Sequence, residues 1–219
     1  SIHYNNFKNS KENLILEKKE DYIIGIITSG ADAGSNNEAC AQLCSGIVKE
    51  NIVKMVEMGK DWKVIQDEIH LFFQELFKDE NFSVGQKVEK EFVKNYCLFT
   101  LMGFVIHKDE LTVFHTGDGL IQINGELIVD QHTNSNYLFI DDYSKQKHLV
   151  YQSIPLSSLK NLIIATRGIY GLMNRSSDLN YLLQNDYYED SQLKEYLIKE
   201  MQKGNLMDDT SLIVLKRKS

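Results

Sequence analysis

The chain has 219 residues, of which 42% are hydrophobic and 25% are charged, and its formal net charge is −7. This length suits one domain spanning 1–219, with enough material to bury a core. The acidic balance disfavours nucleic acid or an anionic membrane surface as a partner. Three cysteines make no disulfide framework, and the sequence shows neither a signal peptide nor an apolar stretch of membrane-spanning length, so we expect a cytoplasmic protein.

The first part of the chain is predicted to hold a polar lead-in, a buried strand and two helices. Residues 1–20 are polar and predict an irregular or edge-strand segment. The apolar run Ile23–Thr28 predicts a strand covered on both faces, continuing into a loop of small residues up to Gly34. A helix is expected from Asn37 to Gly59, where glycine is a common stop. Its predicted apolar stripe is Ala39, Leu43, Ile47, Ile52, Met55 and Val56.

A second helix is predicted from Trp62 to Phe77, and a third segment from Ser83 to Lys94. The aromatic stripe of the second helix (Trp62, Phe72, Phe73, Phe77) favours a core contact over a groove for a partner. Cys40 and Cys44 share one face of the first helix, which favours small buried residues over a metal site, because no further Cys or His lies nearby in the sequence.

The character of the chain changes near Tyr96, after which short runs rich in Phe, Val, Ile and Thr predict an antiparallel meander. Asn124-Gly125 is a strong hairpin signal within it. Predicted strands cover 97–106, 111–116, 120–123, 127–129, 137–140, 149–154, 161–166 and 211–216, and predicted helices cover 168–173, 177–183 and 191–203. Helices in two blocks, with strands between and around them, indicate an α+β chain and not a βαβ repeat.

Four landmarks in this order resemble the metal-dependent type 2C protein serine/threonine phosphatases over nearly the whole chain. Each is an apolar strand with a polar end. They are Gly25-Ile26-Ile27-Thr28-Ser29-Gly30, Leu111 to Leu120 with its Gly117-Asp118-Gly119, Leu162 to Ile169 with its Thr166-Arg167-Gly168, and Asp208-Asp209-Thr210 before the final strand.

The resemblance implies a four-layer α/β/β/α sandwich of two antiparallel sheets flanked by helices. It also implies a dinuclear Mg or Mn centre at one end, held by carboxylates and a backbone carbonyl, with a bridging water as nucleophile. Phosphorylated proteins are the substrates that the resemblance implies.

The residues at the implied centre depart from the family pattern. Ser29, followed by Gly30, stands where the family has the aspartate that bridges both metals, and Arg167, before Gly168, replaces another aspartate. In the lead-in, Lys8 replaces the arginine of the family pattern and Asn13 replaces an aspartate, while Glu12 matches the pattern. The retained acids are Asp208, which matches a metal ligand, and Asp118, which matches a residue near an outer third metal.

These departures predict a degraded metal site, with Mg or Mn absent or weakly bound, in a protein that binds a phosphorylated protein or a regulatory partner without hydrolysis. Arg167 is expected to pair with Asp208 or Asp209. The alternative is an active phosphatase, in which Asp32 supplies a displaced carboxylate beside Glu12, Asp118 and Asp208. A third reading is an unrelated α+β domain. His115 is predicted to be a structural histidine with satisfied hydrogen bonds, and the abundance of lysine over arginine is typical of a bacterial protein.

Overall fold

The computed structural model describes residues 2–7, 12–30, 37–65, 67–69, 71, 99–130, 150–173, 190–206 and 210–217. Ten strands in these residues form two five-stranded antiparallel sheets. Sheet I has the order β2-β3-β4-β5-β8, and sheet II has the order β1-β10-β9-β6-β7. The strands are β1 (Ile2–Phe7), β2 (Glu12–Lys18), β3 (Tyr22–Gly30), β4 (Phe99–His107), β5 (Glu110–Thr116), β6 (Leu120–Ile123), β7 (Glu126–Asp130), β8 (Val150–Pro155), β9 (Asn161–Ala165) and β10 (Leu212–Arg217).

Helices cover the outer face of each sheet. Helix α1 (Asn37–Glu57) packs on sheet I, together with α2, whose described helical residues are 62–65, 67–69 and 71. The 3-10 turn Arg167–Ile169, helix α3 (Tyr170–Met173) and helix α4 (Asp190–Gln202) lie on sheet II. The predicted α+β, four-layer α/β/β/α arrangement is therefore confirmed.

The core between the two sheets explains why β3 reads as a continuous apolar run. Ile27 faces this inner core, whereas Ile24 and Ile26 belong to the cluster under α1. Side chains alternate across a strand, so a strand between a helix and a second sheet needs apolar residues on both faces. Each fully buried Ile or Leu contributes roughly 1.5–3 kcal/mol of burial free energy. Sheet II supplies Ile121, Ile164, Ile213 and Leu215 to the inner core.

Helix α1 ends where predicted, because Gly59 takes a φ of +66° just after it. Its buried face differs from the predicted stripe, since Leu43 is 63% exposed. The buried row is Ala41, Cys44, Val48, Ile52 and Met55. These positions follow the i, i+3, i+4 spacing of one helix face, and Leu43 lies on the neighbouring row. Cys44 is buried, as expected.

The predicted meander is wrong at its middle, because the chain changes sheet there. Strands β4 and β5 pair in sheet I, and strands β6 and β7 pair in sheet II. The segment 117–119 carries the chain from one sheet to the other. The hairpin at Asn124-Gly125 is confirmed, with φ values of +54° and +87° that suit its tight turn.

The polar lead-in forms edge strands in both sheets. Of the two predicted possibilities, an irregular segment or an edge strand, the edge strand is therefore confirmed. Strand β1 pairs with β10 at the edge of sheet II, and β2 pairs with β3 at the edge of sheet I. The predicted segments 83–94, 137–140 and 177–183 lie outside the described residues.

In helix α2, Trp62 stacks on Phe114 of sheet I at a centroid distance of 6.0 Å, as the predicted core contact requires. The other aromatic residues of its predicted stripe lie outside the described part of the chain. Within the described ranges, no helix has the length and apolar character needed to cross a membrane.

Candidate functional site

The strand ends named by the sequence landmarks meet at one end of the sandwich, here called the site end. In sheet I, Ser29 near the end of β3 is in register with Glu12 of β2 and Thr100 of β4. In sheet II, Ala165 at the end of β9 is in register with Leu120 of β6 and Leu212 of β10. Because the short segment 117–119 joins β5 to β6, these two sets of strand ends lie on the same side of the molecule.

Two glycines hold Asp118 at this junction. A Cβ at Gly117 would lie 2.4 Å from Cγ2 of Thr100, and a Cβ at Gly119 would lie 2.3 Å from Sδ of Met102. Both glycines also have positive φ values, +88° and +147°. The segment can therefore press against β4 only because neither position carries a side chain. Asp118 itself is half-buried between them.

Tyr170 fixes the same junction from sheet II. Its hydroxyl donates a buried hydrogen bond of 2.9 Å to the carbonyl oxygen of Gly119. The tyrosine lies just after the 3-10 turn that begins at Arg167, so this bond ties the Asp118 segment to the segment that follows β9. The tyrosine was missed by sequence reasoning, because its partner is 51 positions away in the chain.

A second link joins the end of β9 to the start of β10. The backbone N–H of Thr166 donates to the carbonyl of Ser211 at 3.0 Å, and the N–H of Ser211 donates to Oγ1 of Thr166 at 2.9 Å. Thr166 and Ser211 are both buried. This reciprocal pair aligns Arg167 with the residues that precede β10. Arg167 is exposed and Gly168 is buried.

Ser29 and Asn13 face different layers. Ser29 is half-buried and lies on the same face of β3 as Ile27, which faces the inner core. Asn13 lies in register with Thr28, on the other face, and its amide donates a short hydrogen bond to Oγ of Ser45 in α1. Thr28 likewise donates to the carbonyl of Ala41 at 3.2 Å. Asn13 and Thr28 thus anchor α1 to sheet I.

His115 lies on β5 two residues before Gly117 and is only 8% exposed. The expectation of a satisfied structural histidine is wrong for Nδ1, which has no hydrogen-bond partner among the described residues. Burial lowers the pKa of His115 to about 4, because desolvation disfavours the charged imidazolium. The imidazole is therefore neutral at pH 7.

The structure does not test every predicted site residue. Lys8, Asp32 and Asp208 lie outside the described part of the chain, and for Glu12 only the backbone is described. The pairing of Arg167 with Asp208 or Asp209 thus stays a prediction. Among the described side chains, no group of three or more His, Cys, Asp and Glu residues could hold a metal ion.

Only part of the predicted metal-ligand set lies among the described side chains at the site end. They offer one carboxylate, Asp118, one cationic side chain, Arg167, and a set of hydroxyls. Hard divalent cations need several oxygen ligands, mostly carboxylates, to offset their charge. The exposed guanidinium of Arg167 suits hydrogen bonds to an anion, whereas the hydroxyl-bearing residues, apart from the half-buried Ser29, are buried. The hydroxyl side chains are Ser29, Thr100, Thr116, Thr166, Thr210 and Ser211.

No protein-family model matches the sequence, and no curated protein matches it either. Solved structures do match its fold. The S. agalactiae serine/threonine phosphatase superposes with a TM-score of 0.66 at 11% identity, covering 100% of both chains. The phosphatase domain of the cell fate determinant SpoIIE from Bacillus subtilis gives a TM-score of 0.57 at 14% identity, covering 99% of this chain and 92% of that one.

RsbX in complex with magnesium gives a TM-score of 0.52 at 12% identity, covering 98% of this chain and 94% of that one. A further matching structure of SpoIIE contains its type 2C phosphatase domain. The present chain therefore has the fold of the type 2C serine/threonine phosphatase domains. At these identities the likeness establishes the fold alone.

Proposed function

We propose that this chain is a type 2C phosphatase-like domain, spanning 1–219, whose metal centre is degraded and which binds a phosphorylated protein or a regulatory partner with little or no hydrolysis. In this proposal it works in the bacterial cytoplasm. The observation that carries the proposal is the placement of Ser29 and Arg167 at the ends of β3 and β9, at the end of the sandwich where the resemblance puts the metals.

The charges at these two positions support the proposal. Two divalent cations about 4 Å apart repel each other by roughly 16 kcal/mol at an effective dielectric constant of 20. Carboxylates offset that repulsion in a working centre. Replacing two aspartates by Ser29 and Arg167 changes the local charge from −2 to +1, which is three units in the wrong direction for binding cations.

The same substitutions favour a phosphate group as ligand. A guanidinium can donate two parallel hydrogen bonds to phosphate oxygens, and the hydroxyl of the half-buried Ser29 is a further possible donor. Arg167 is an exposed residue at the site end. One structural neighbour is described as a cell fate determinant, which is a regulatory role and supports a protein partner here.

The second candidate is an active Mg- or Mn-dependent phosphoprotein phosphatase with altered ligands. It would require Glu12, Asp32 and Asp208 to converge with Asp118 on one or two ions. Asp118 favours this reading, since it is a half-buried acid in the segment that joins the two sheets. The two candidates differ in metal affinity and in turnover.

The test of the proposal combines calorimetry with an assay. The chain is titrated with Mn and with Mg, and hydrolysis of an aryl phosphate is followed at millimolar Mn. We expect neither metal-dependent turnover nor a saturable binding heat. Turnover that requires Mn and disappears in Asp208→Ala would reject the degraded site and establish the alternative.

A restoration experiment tests the assigned positions. The double variant Ser29→Asp with Arg167→Asp should gain Mn affinity, because it returns the charge to −2. The matched control is Ser29→Asn with Arg167→Asn, which has nearly the same shape and no charge. If the aspartate variant folds, as judged by its circular dichroism, and binds Mn no better than the asparagine control, the two positions are not metal positions.

Partner binding is tested with labelled phosphoserine and phosphothreonine peptide libraries and their unphosphorylated counterparts. We expect selective retention of phosphorylated sequences and a loss of about tenfold in affinity in Arg167→Gln, the size expected for a charge-assisted hydrogen bond. Lys194→Gln, an exposed change on α4, serves as the control. Equal retention of both libraries would argue against recognition of phosphate.

A further inference from the structure

A cavity of about 650 Å³ lies on the outer face of sheet I, away from the site end. Its floor includes Thr112 of β5 and Ser153 of β8, and its walls come from the α1–α2 connection and from the β4–β5 turn. The β4–β5 turn lies at the end of sheet I opposite Ser29, so the cavity is separate from the candidate site. Its volume is within the range of small-ligand pockets.

Aromatic rings form one wall of the cavity. Trp62 stacks on Tyr151 with ring centroids 5.9 Å apart and an interplanar angle of 29°, and it also stacks on Phe114. Tyr151 is 38% exposed and Trp62 is half-buried, so both rings keep free surface. The two stacking contacts fix the indole, and a fixed aromatic face binds planar groups and cations at little entropic cost.

Carboxylates outnumber ammonium groups around this wall, with Asp61, Asp109 and Glu110 against Lys60 and Lys108. Hydrogen bonds hold two of the acids. Glu110 accepts from the Thr112 hydroxyl at 3.2 Å, and Asp61 accepts from the N–H of Lys63 at 2.8 Å.

The floor hydroxyls are also linked, since Thr112 and Ser153 lie 2.7 Å apart. Glu110 and Asp61 are thus held beside the aromatic wall, whereas lysine side chains are flexible and can place their ammonium groups in solvent.

We propose that this cavity binds the guanidinium side chain of an arginine in a basic peptide or protein partner. A guanidinium is planar and cationic, so it can stack on Trp62 and donate paired hydrogen bonds to a carboxylate such as Glu110 at the same time. The net charge of −7 attracts a basic partner to the surface. The proposal does not depend on the function proposed for the site end.

Trp62 is the only tryptophan of the chain, so its fluorescence reports directly on the cavity. The test titrates the protein with N-acetyl-arginine amide and, separately, with N-acetyl-citrulline amide, the neutral planar analogue. We expect a saturable change in emission with the arginine compound and at least fivefold weaker binding of citrulline. Equal binding of the two compounds, or tighter binding of adenosine monophosphate, would overturn the proposal.

Variants locate the site without removing the reporter. Glu110→Gln should weaken arginine binding about fivefold, and Glu195→Gln, an exposed acid on α4, should leave it unchanged. Asp109→Asn is a second cavity variant, and a smaller loss is expected from it. Thermal unfolding of each variant checks its fold. If correctly folded Glu110→Gln and Asp109→Asn both bind arginine as tightly as the Glu195→Gln control, the cavity is not an arginine site. The readout needs neither metal nor phosphate, so a failure here is distinct from a failure of the proposed function.

Discussion

The two ends of the sandwich use glycine for different physical reasons. Gly117 at the site end and Gly125 at the opposite end have nearly the same φ, +88° and +87°. A Cβ at Gly117 would collide with Thr100, whereas a Cβ at Gly125 would meet nothing within 4 Å. The turn at Gly125 therefore needs glycine only for its backbone conformation. The junction at Gly117 needs it also for space, because the segment packs closely against Thr100 of β4.

Polar groups follow the same division. At the site end, Thr166, Ser211 and the Tyr170 hydroxyl are buried in hydrogen bonds that link separate segments. At the opposite end, the β4–β5 turn is exposed and charged, and it borders an open cavity. The site end thus combines a frame of buried hydrogen bonds with the exposed Arg167, and the opposite end combines an exposed, charged turn with the cavity.

The largest effect is expected from alanine at Gly117. Gly117→Ala should lower the free energy of unfolding by about 3 kcal/mol, because the methyl group adds a steric collision to the strain of a positive φ. Gly125→Ala, with the strain alone, should cost about 1 kcal/mol. Urea unfolding of both variants measures the difference. Equal losses would mean that Thr100 moves aside freely and that the junction is not tightly packed.

The next effect is a pH dependence from His115. Its pKa is about 4 in the folded protein and about 6.5 when unfolded, so the unfolded state binds more protons between these values. The stability that the protein gains by burying the neutral imidazole of His115 is therefore fully present above pH 6.5, and it is lost as the pH drops towards 4. Lowering the pH from 7 to 5 should therefore reduce the free energy of unfolding by roughly 2 kcal/mol through this histidine.

His115→Leu should abolish that share of the pH dependence, and His107→Gln serves as the matched control on the neighbouring strand. Stability is measured by urea unfolding at pH 7 and pH 5 for the three proteins. A parent and a His115→Leu variant with the same loss between the two pH values would contradict the assigned burial of the imidazole.

A smaller effect is expected from removing one hydroxyl at the junction. Tyr170→Phe leaves the carbonyl of Gly119 without its buried partner, which should cost about 1–2 kcal/mol. Tyr151→Phe, on the exposed wall of the cavity, should change stability by less than about 0.5 kcal/mol. Thermal unfolding compares the two. A cost for Tyr151→Phe as large as that for Tyr170→Phe would erase the distinction between the two ends.

The smallest effect concerns the exposed turn. Asn124 accepts hydrogen bonds from the N–H groups of Lys160 and Asn161 at 2.7 and 3.2 Å, and donates to the carbonyl of Ser158. Asn124→Gly keeps the positive φ available and removes these bonds. The expected loss is about 0.5–1 kcal/mol, because water replaces partners on an exposed surface. A loss in urea unfolding above that for Gly117→Ala would reverse the ranking of the two ends.

Sequence reasoning predicted the fold and several of its elements correctly. Local residue patterns predict the strand at Ile23–Thr28, the helix from Asn37 and the turn at Asn124-Gly125. The order of such patterns along the chain predicts the four-layer fold. In α1, sequence reasoning predicted the buried Ile52, Met55 and Val56 correctly but chose Leu43, which is exposed, instead of Cys44 and Val48, since two neighbouring rows of that helix are both apolar and only the packing partner selects one. It also missed that Nδ1 of His115 has no hydrogen-bond partner among the described residues.

By itself, the sequence determined which residues stand at each landmark, including Ser29 and Arg167, because composition and order do not depend on packing. Only the tertiary structure decided that β5 and β6 belong to different sheets, that Tyr170 holds Gly119, and that Asn13 anchors α1. These facts rest on contacts between segments far apart in the chain. No local periodicity encodes such contacts, because each arises from the free energy of burying and bonding two surfaces that meet only in the folded state.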